Sequence, residues 1–252
     1  MNKPYLSIII PAYNEKKNFK NGALNKVNDY TSKLDYAWEV LIIDDGSNDG
    51  SDKLIADFCD KHPGFKYIKN SHMGKAATVK KGVMEAIGEN ILFTDFDQAT
   101  PLSEWEKLEP YFKHGYKVVI GSRELAGSMR QKEPFYRHLM GKGFNFGVQL
   151  LTVYGIHDTQ CGFKAFNGEV AKKLFSKLQV YKSDVEISRA FTGAFDVEIL
   201  FIAKKMGYKI MEVPIKWQHV PTDRINPIKD SFLMAIDVIK IRMNDLQGKY
   251  TS

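Results

Sequence analysis

LSIIIPAYNE, residues 6–15, joins a run of β-branched residues to a proline, an aromatic and two polar residues. β-Branched side chains favour strands, and the polar group that follows reads as the strand's exit, with helical-period sequence starting near Glu15. The unit then repeats. EVLIID (39–44) leads into a helix from about Asn48, FKYIK (65–69) into one from about Gly74, and NILFTD (90–95) is a fourth strand. This βαβαβαβ order predicts an α/β fold with a mostly parallel central sheet flanked by helices and right-handed crossovers. Ligands of such sheets bind beyond the carboxyl ends of the strands. PAYNE (11–15), DDGSNDGS (44–51) and the pair Asp95 and Asp97 all fall there, and three polar motifs on one edge are hard to explain by solubility alone.

The acid pair carries the most chemistry. Strand side chains alternate, so Asp95 and Asp97, two apart at a strand exit, project to the same side. Mg²⁺ and Mn²⁺ take oxygen ligands and are typically held by one or two carboxylates plus substrate phosphates, so two acids suffice. A lone D-x-D is otherwise ordinary turn chemistry. Gly74 and Lys75 open a helix, where unpaired N–H groups attract phosphate; a lysine there is otherwise a surface residue. Asp44 and Asp45 precede Gly-Ser and read either as acceptors for a nucleoside or as a turn capped by Ser47 or Asn48.

Composition narrows the rest. The 252 residues are 44% hydrophobic, enough for a full core, and one domain is expected. No run approaches the roughly 18–20 apolar residues of a membrane span, and the opening residues lack a signal-peptide layout, so a cytoplasmic protein is expected. The two cysteines, Cys59 and Cys161, have no metal-type spacing. A net charge of +6 points to acidic partners. With no basic stripe interleaved with aromatics, a small phosphorylated substrate is favoured over nucleic acid.

The second half is less regular. Strands are predicted at 117–123, 162–166 and 209–215, and helices across 134–152, 168–178 and 196–206. From Pro227 to Gly248, Phe232, Ala235, Ile236, Ile239, Met243 and Leu246 form a helical stripe, widened by Leu233, Met234, Val238 and Ile241. Such a stripe ordinarily packs on its own domain; with Lys229, Lys240 and Arg242 nearby, the alternative is a membrane-surface helix.

Taken together, PAYNE (11–15), DDGS (44–47), Gly74-Lys75, the DxD at 95–97 and GSR (121–123) resemble, in order and spacing, the family 2 glycosyltransferases of GT-A fold. DTQCGFKAF (158–166), FDVEIL (195–200) and EVPIKW (212–217) are most similar to the dolichyl-phosphate glucosyltransferases, with the mannosyltransferases next. Family members usually show Gly-Lys-Gly where this chain has Ala76 after Lys75. The resemblance implies one GT-A (Rossmann-like) domain over 1–252: a nucleotide-binding half at 1–100, an acceptor half at 101–226 and an amphipathic helix at 227–252. It also implies an inverting, metal-dependent transfer of a hexose to a polyprenyl or dolichyl phosphate. DFDQATP (95–101) favours UDP-glucose as donor, with GDP-mannose the alternative.

By the same resemblance Pro11, Tyr13, Glu15, Asp44, Asp45, Lys75 and Asp95 bind the nucleotide sugar. Asp95 and Asp97 hold Mg²⁺ or Mn²⁺, with Asp97 catalytic, and Arg123 and Arg137 take the acceptor phosphate. Arginine suits phosphate oxygens bidentately. No Q-x-x-R-W motif, which carries the base of many relatives, occurs here. A phosphate acceptor, with a second pKa near ~6, needs none. A sugar hydroxyl is the rival acceptor and would make Asp158, Asp196 or Glu198 a base; a nucleotide-sugar binding protein without turnover is a further rival. His219 is a remote candidate for the diphosphate. No membrane-spanning anchor is expected, which leaves peripheral contact at the cytosolic membrane face. The stretch 180–194 is expected to shape the acceptor opening.

Overall fold

The computed structural model describes residues 3–130, 152–181, 193–220 and 227–250. Its centre is a seven-stranded sheet in the order β3-β2-β1-β4-β7-β5-β8. The strands are β1 (Leu6–Ala12), β2 (Trp38–Asp44), β3 (Phe65–Lys69), β4 (Asn90–Thr94), β5 (Val118–Ser122), β7 (Phe163–Asn167) and β8 (Ile210–Pro214). A two-residue strand β6 (Met129–Arg130) pairs with β9 (Lys216–Trp217) beside it. Every pairing in the main sheet is parallel except those of β7, which runs antiparallel to β4 and β5. The start of β7 therefore lies at the edge where the other strands end.

Helices cover both faces, and the apolar strand runs divide by alternation. Leu6, Ile8 and Ile10 of β1, with Val40 and Ile42 of β2, share a core with Leu24 and Val27 of α2 (Ala23–Thr31), Ile55 and Phe58 of α3 (Ser51–Lys61), and Trp105 and Leu108 of α5 (Trp105–Lys113). On the other face Ile9, Leu41 and Ile43 meet Val79 and Val83 of α4 (Lys75–Glu85), Leu174 of α6 (Gly168–Ser176) and Ile199 of α7 (Phe195–Lys205). Gly82 of α4 sits directly on the sheet: a Cβ there would lie 2.5 Å from Ile9 Cγ2 and 3.1 Å from Ile43 Cγ1. Gly82→Ala should therefore lower stability by roughly 1–3 kcal/mol through overpacking, although alanine is the better helix former. Urea unfolding monitored by circular dichroism checks this, and an unchanged midpoint would contradict it.

Several boundaries differ from expectation. The helix expected from Glu15 is two helices, α1 (Lys16–Lys20) and α2, because Gly22 turns the chain at φ +77°. Helix α5 was not foreseen. The helix expected at 134–152 lies outside the described residues, as does most of 180–194. The closing helix α8 (Pro227–Leu246) is present, but its counted stripe is reversed. Phe232, Ala235, Ile239, Met243 and Leu246 are exposed, while Asp237, Val238 and Ile241 are buried. Among the described residues no helix is long and apolar enough to cross a membrane.

Candidate functional site

At the carboxyl ends of β1 and β2 two loops brace each other. Asn14 N–H donates to Ser47 Oγ (2.9 Å) and Asn48 N–H to Asn14 Oδ1 (2.8 Å). Glu15 N–H donates to Ser51 Oγ (3.2 Å) and Lys16 N–H to Asp49 Oδ2 (3.1 Å). Asn14 adopts φ +54°, a left-handed geometry asparagine tolerates. Neither Ser47 nor Asn48 caps α3. The helix starts at Ser51, after Gly50 at φ +87°. Pro11 is the penultimate residue of β1 at the same edge, and Glu15 is buried with Asn18 Nδ2 donating to its Oε2 (2.6 Å).

Both acids of DDGS are buried and hydrogen-bonded within the protein. Asp44 accepts from Ser47 N–H at 3.3 Å and from Tyr67 O–H at 3.0 Å. Asp45 accepts from Met73 N–H through Oδ1 and from Gly74 N–H through Oδ2, each at 2.9 Å. What these two carboxylates hold here is loop structure, with Asp45 tying the exit of β2 to the start of α4. Gly46 (φ +77°) keeps the turn open, since a Cβ would come 3.1 Å from His72 N.

Asp45 also fixes a residue the sequence reading missed. His72 Nδ1 lies 2.9 Å from Asp45 Oδ2, and the imidazole stacks on Tyr13 with centroids 4.2 Å apart and planes 12° apart. The signal was its place after β3, two residues before Gly74, at an exit that carries no acid.

At the end of β4, Phe96 is buried between the two aspartates and anchors the turn. Gln98, at φ +54°, donates its N–H (3.2 Å) and Nε2 (2.9 Å) to the Asp95 carbonyl. Lys75 Nζ donates to Asp95 Oδ1 at 2.5 Å. Burial works to lower the Lys75 pKa, yet Asp95, then Asp196, outweigh it and raise it, so the ammonium is held charged. Gly162, at the start of β7, lets Asp95 lie close: a Cβ there would be 2.0 Å from Asp95 Oδ2.

Asp97 Oδ1 accepts from Ala99 N–H at 3.0 Å. Burial, then Asp95 and Glu15, push its carboxyl up to about 6, against the pull of Ala99 N–H and Lys75. Among the described residues no three His, Cys, Asp or Glu side chains gather as a metal cage. A crowded carboxylate beside a second one nonetheless fits a divalent cation whose other ligands come from substrate phosphate.

The acceptor-side residues are paired. Arg123 donates from Nε (2.7 Å) and Nη2 (2.9 Å) to Asp158, and its guanidinium lies 5.5 Å from the Trp217 ring centre. Asp158 thus occupies the Nε donor and one Nη2 donor of the five that the Arg123 guanidinium carries. Asp196 pairs with buried Lys164 at 2.6 Å. Glu198 accepts from the N–H groups of Gln179 and Val180 and from Tyr250 O–H. His219 tilts against Trp217, 5.8 Å between ring centres. Arg137 lies outside the described residues.

Comparison with known proteins gives the family. Residues 7–175 match the family described as Glycosyl transferase family 2. A dolichyl-phosphate beta-glucosyltransferase from Dictyostelium discoideum is 34% identical over 257 residues, covering 97% of this chain and 76% of that protein. Mannosyl-3-phosphoglycerate synthase from Rubrobacter xylanophilus shares the fold at TM-score 0.65 and 17% identity, over 98% of this chain and 76% of that one. Glucosyl-3-phosphoglycerate synthase from Mycobacterium tuberculosis, solved with Mn²⁺, UDP and glucosyl-3-phosphoglycerate, aligns at TM-score 0.57 and 18% identity, over 96% and 79% of the two chains. With its family match across two thirds of its length and its parallel sheet carrying polar loops at one edge, the chain belongs to the family 2 glycosyl transferases and is a glycosyltransferase of GT-A fold.

Proposed function

We propose that the enzyme transfers glucose from UDP-glucose, with inversion, to a dolichyl or other polyprenyl phosphate at the cytosolic membrane face. One observation carries the choice of acceptor. Asp158, Asp196 and Glu198, the acids weighed above as a base for a sugar hydroxyl, all lie among the described residues and are tied to internal partners. An acceptor that arrives already ionised removes the need for a base. The name of the Dictyostelium relative agrees with this reading.

In this scheme Tyr13 and His72 form a flat wall for the nucleobase, and the braced PAYNE and DDGS loops shape the ribose seat. Asp97 and Asp95 would hold Mg²⁺ or Mn²⁺, which offsets charge on the departing nucleoside diphosphate. Lys75 orients Asp95 and adds a cation beside the diphosphate. Arg123, with Arg137, binds the acceptor phosphate. An acceptor oxygen bonds to C1 of the hexose from the face opposite the diphosphate. The C1–O bond breaks, and its electron pair leaves with UDP.

Incubation with labelled UDP-glucose or GDP-mannose, Mg²⁺ or Mn²⁺ and a short polyprenyl phosphate tests the reading. Label is expected in the organic phase from UDP-glucose only. Transfer to a sugar hydroxyl instead, or none despite nucleotide binding, would sink the lipid-phosphate acceptor. His72→Ala should raise the KM for UDP-glucose roughly 2- to 10-fold while kcat changes little, since a lost aromatic stack is worth ~0.5–1.5 kcal/mol. An unchanged KM would remove His72 from the site.

A further inference from the structure

Helix α8 has two unlike faces. Asp237, Val238 and Ile241 are buried; Asp237 accepts from Tyr181 O–H, and Arg242 lies over the Phe201 ring at 5.9 Å. At 100° per residue, Phe232, Ile239, Met243 and Leu246 fall within about 60° of one another on the opposite side. They are 68%, 53%, 53% and 82% exposed. Contiguous exposed apolar surface of this kind marks an interaction site.

The charges around the stripe are sorted by sign. Lys229 and Lys249 are exposed, and the side chains of Lys240 and Arg242 are 55% and 42% exposed. Of the acids, Asp230 is half-buried, Asp237 is 9% exposed and pairs with Lys240, and Asp245, at 15%, pairs with Arg242 and with Lys205 of α7. Outwardly the helix shows a line of large apolar side chains with cations along its margins. That pattern matches an anionic bilayer surface, where apolar side chains enter the acyl boundary and lysines meet headgroup phosphates.

The helix also has a fixed relation to the site. Asp237 meets Tyr181, whose hydroxyl accepts from Ala194 N–H at the start of α7, and Asp245 meets Lys205 at its end. Helix α8 therefore runs parallel to α7. Since Asp196 in the first turn of α7 reaches Lys164 beside the start of β7, the Phe232 end of the stripe is the end toward the catalytic edge.

We infer that this face of α8 docks on an anionic lipid surface and lays the catalytic edge beside the membrane. The proposal rests on the lipid-phosphate reading for its purpose, but it is tested without it. The purified full chain is sedimented with vesicles of phosphatidylcholine containing phosphatidylglycerol, or of phosphatidylcholine alone, neither holding polyprenyl phosphate. Binding is expected to the anionic vesicles and to weaken with salt. Phe232→Ser with Leu246→Ser should lower it at least about tenfold, at little cost to the fold because both side chains are exposed. Transfer to a short, water-soluble polyprenyl phosphate should stay within about twofold in that variant, since among the described residues neither side chain contacts the site and both face away from the core.

Absence of wild-type binding to anionic vesicles, or equal binding by the double variant, would overturn the proposal. So would a wild-type dimer in sedimentation equilibrium that the substitutions convert to monomer, because a second copy would then be the occupant. Vesicle binding without any transfer would remove the acceptor reading and keep the surface; transfer without vesicle binding would do the reverse.

Discussion

Asp97→Asn should abolish measurable hexose transfer, a loss of about a thousandfold or more, while leaving the protein folded. The magnitude follows from what the carboxylate is proposed to hold: a cation that steadies the leaving diphosphate contributes several kcal/mol, at ~1.4 kcal/mol per decade of rate. The intact fold follows from its surroundings. Burial and the neighbouring charges of Asp95 and Glu15 disfavour the ionised form, so a neutral isostere relieves crowding and keeps the turn. Initial rates over a Mn²⁺ titration, set beside thermal melts in chelator, check both halves. A variant that retains a tenth of wild-type transfer at saturating metal would show that Asp97 is not the cation's holder.

Asp158→Asn is expected to be the most damaging single change for stability. It would leave Arg123 partly buried, with its strongest partner weakened and the donors of Nε and Nη2 facing a neutral amide. Breaking one side of a buried pair typically costs ~3–5 kcal/mol, or roughly 10 °C in Tm for a chain of this size. The pH dependence gives a second readout. Burial works to raise the Asp158 pKa, but the Arg123 guanidinium outweighs it and holds the carboxyl below its usual value. A depressed folded-state pKa stabilises the fold above the unfolded value near ~4 and is lost as pH falls through the folded one. The wild type should thus lose more stability than the variant on acidification below about pH 4. Parallel loss in both would mean that the pair does not carry the effect.

Much of this was legible in the chain. The runs at 6–10, 39–44 and 90–95 became β1, β2 and β4 because a parallel strand covered on both faces must be largely apolar, while the edge strand β3 at 65–69 is half-exposed. The acids at the exits of β1, β2 and β4 fell on one edge because those strands run parallel. Other features depend on contacts distant in sequence. No local pattern in FKAFN reveals that β7 runs against its neighbours, since direction depends on where the preceding loop enters. Helix α5 was hidden by its composition: it carries Pro110 and buries only Trp105 and Leu108. The stripe on α8 was counted correctly yet placed on the wrong side, because periodicity defines a face without saying what covers it. Asp44 and Asp45 read either as nucleoside acceptors or as part of a capped turn, and neither reading held the donors Tyr67, Met73 and Gly74, more than twenty residues along the chain.

The antiparallel insertion of β7 between β4 and β5 has a consequence for biosynthesis. On the ribosome, β1 to β4 can assemble as soon as they emerge, but the far side of β4 finds its partner only when residues 163–167 follow. Until then a five-residue strand with every side chain buried in the finished protein stands as an open edge, a template for pairing with another nascent chain. Truncations that end before β7 should consequently precipitate, while those that remove only α8 expose no sheet edge.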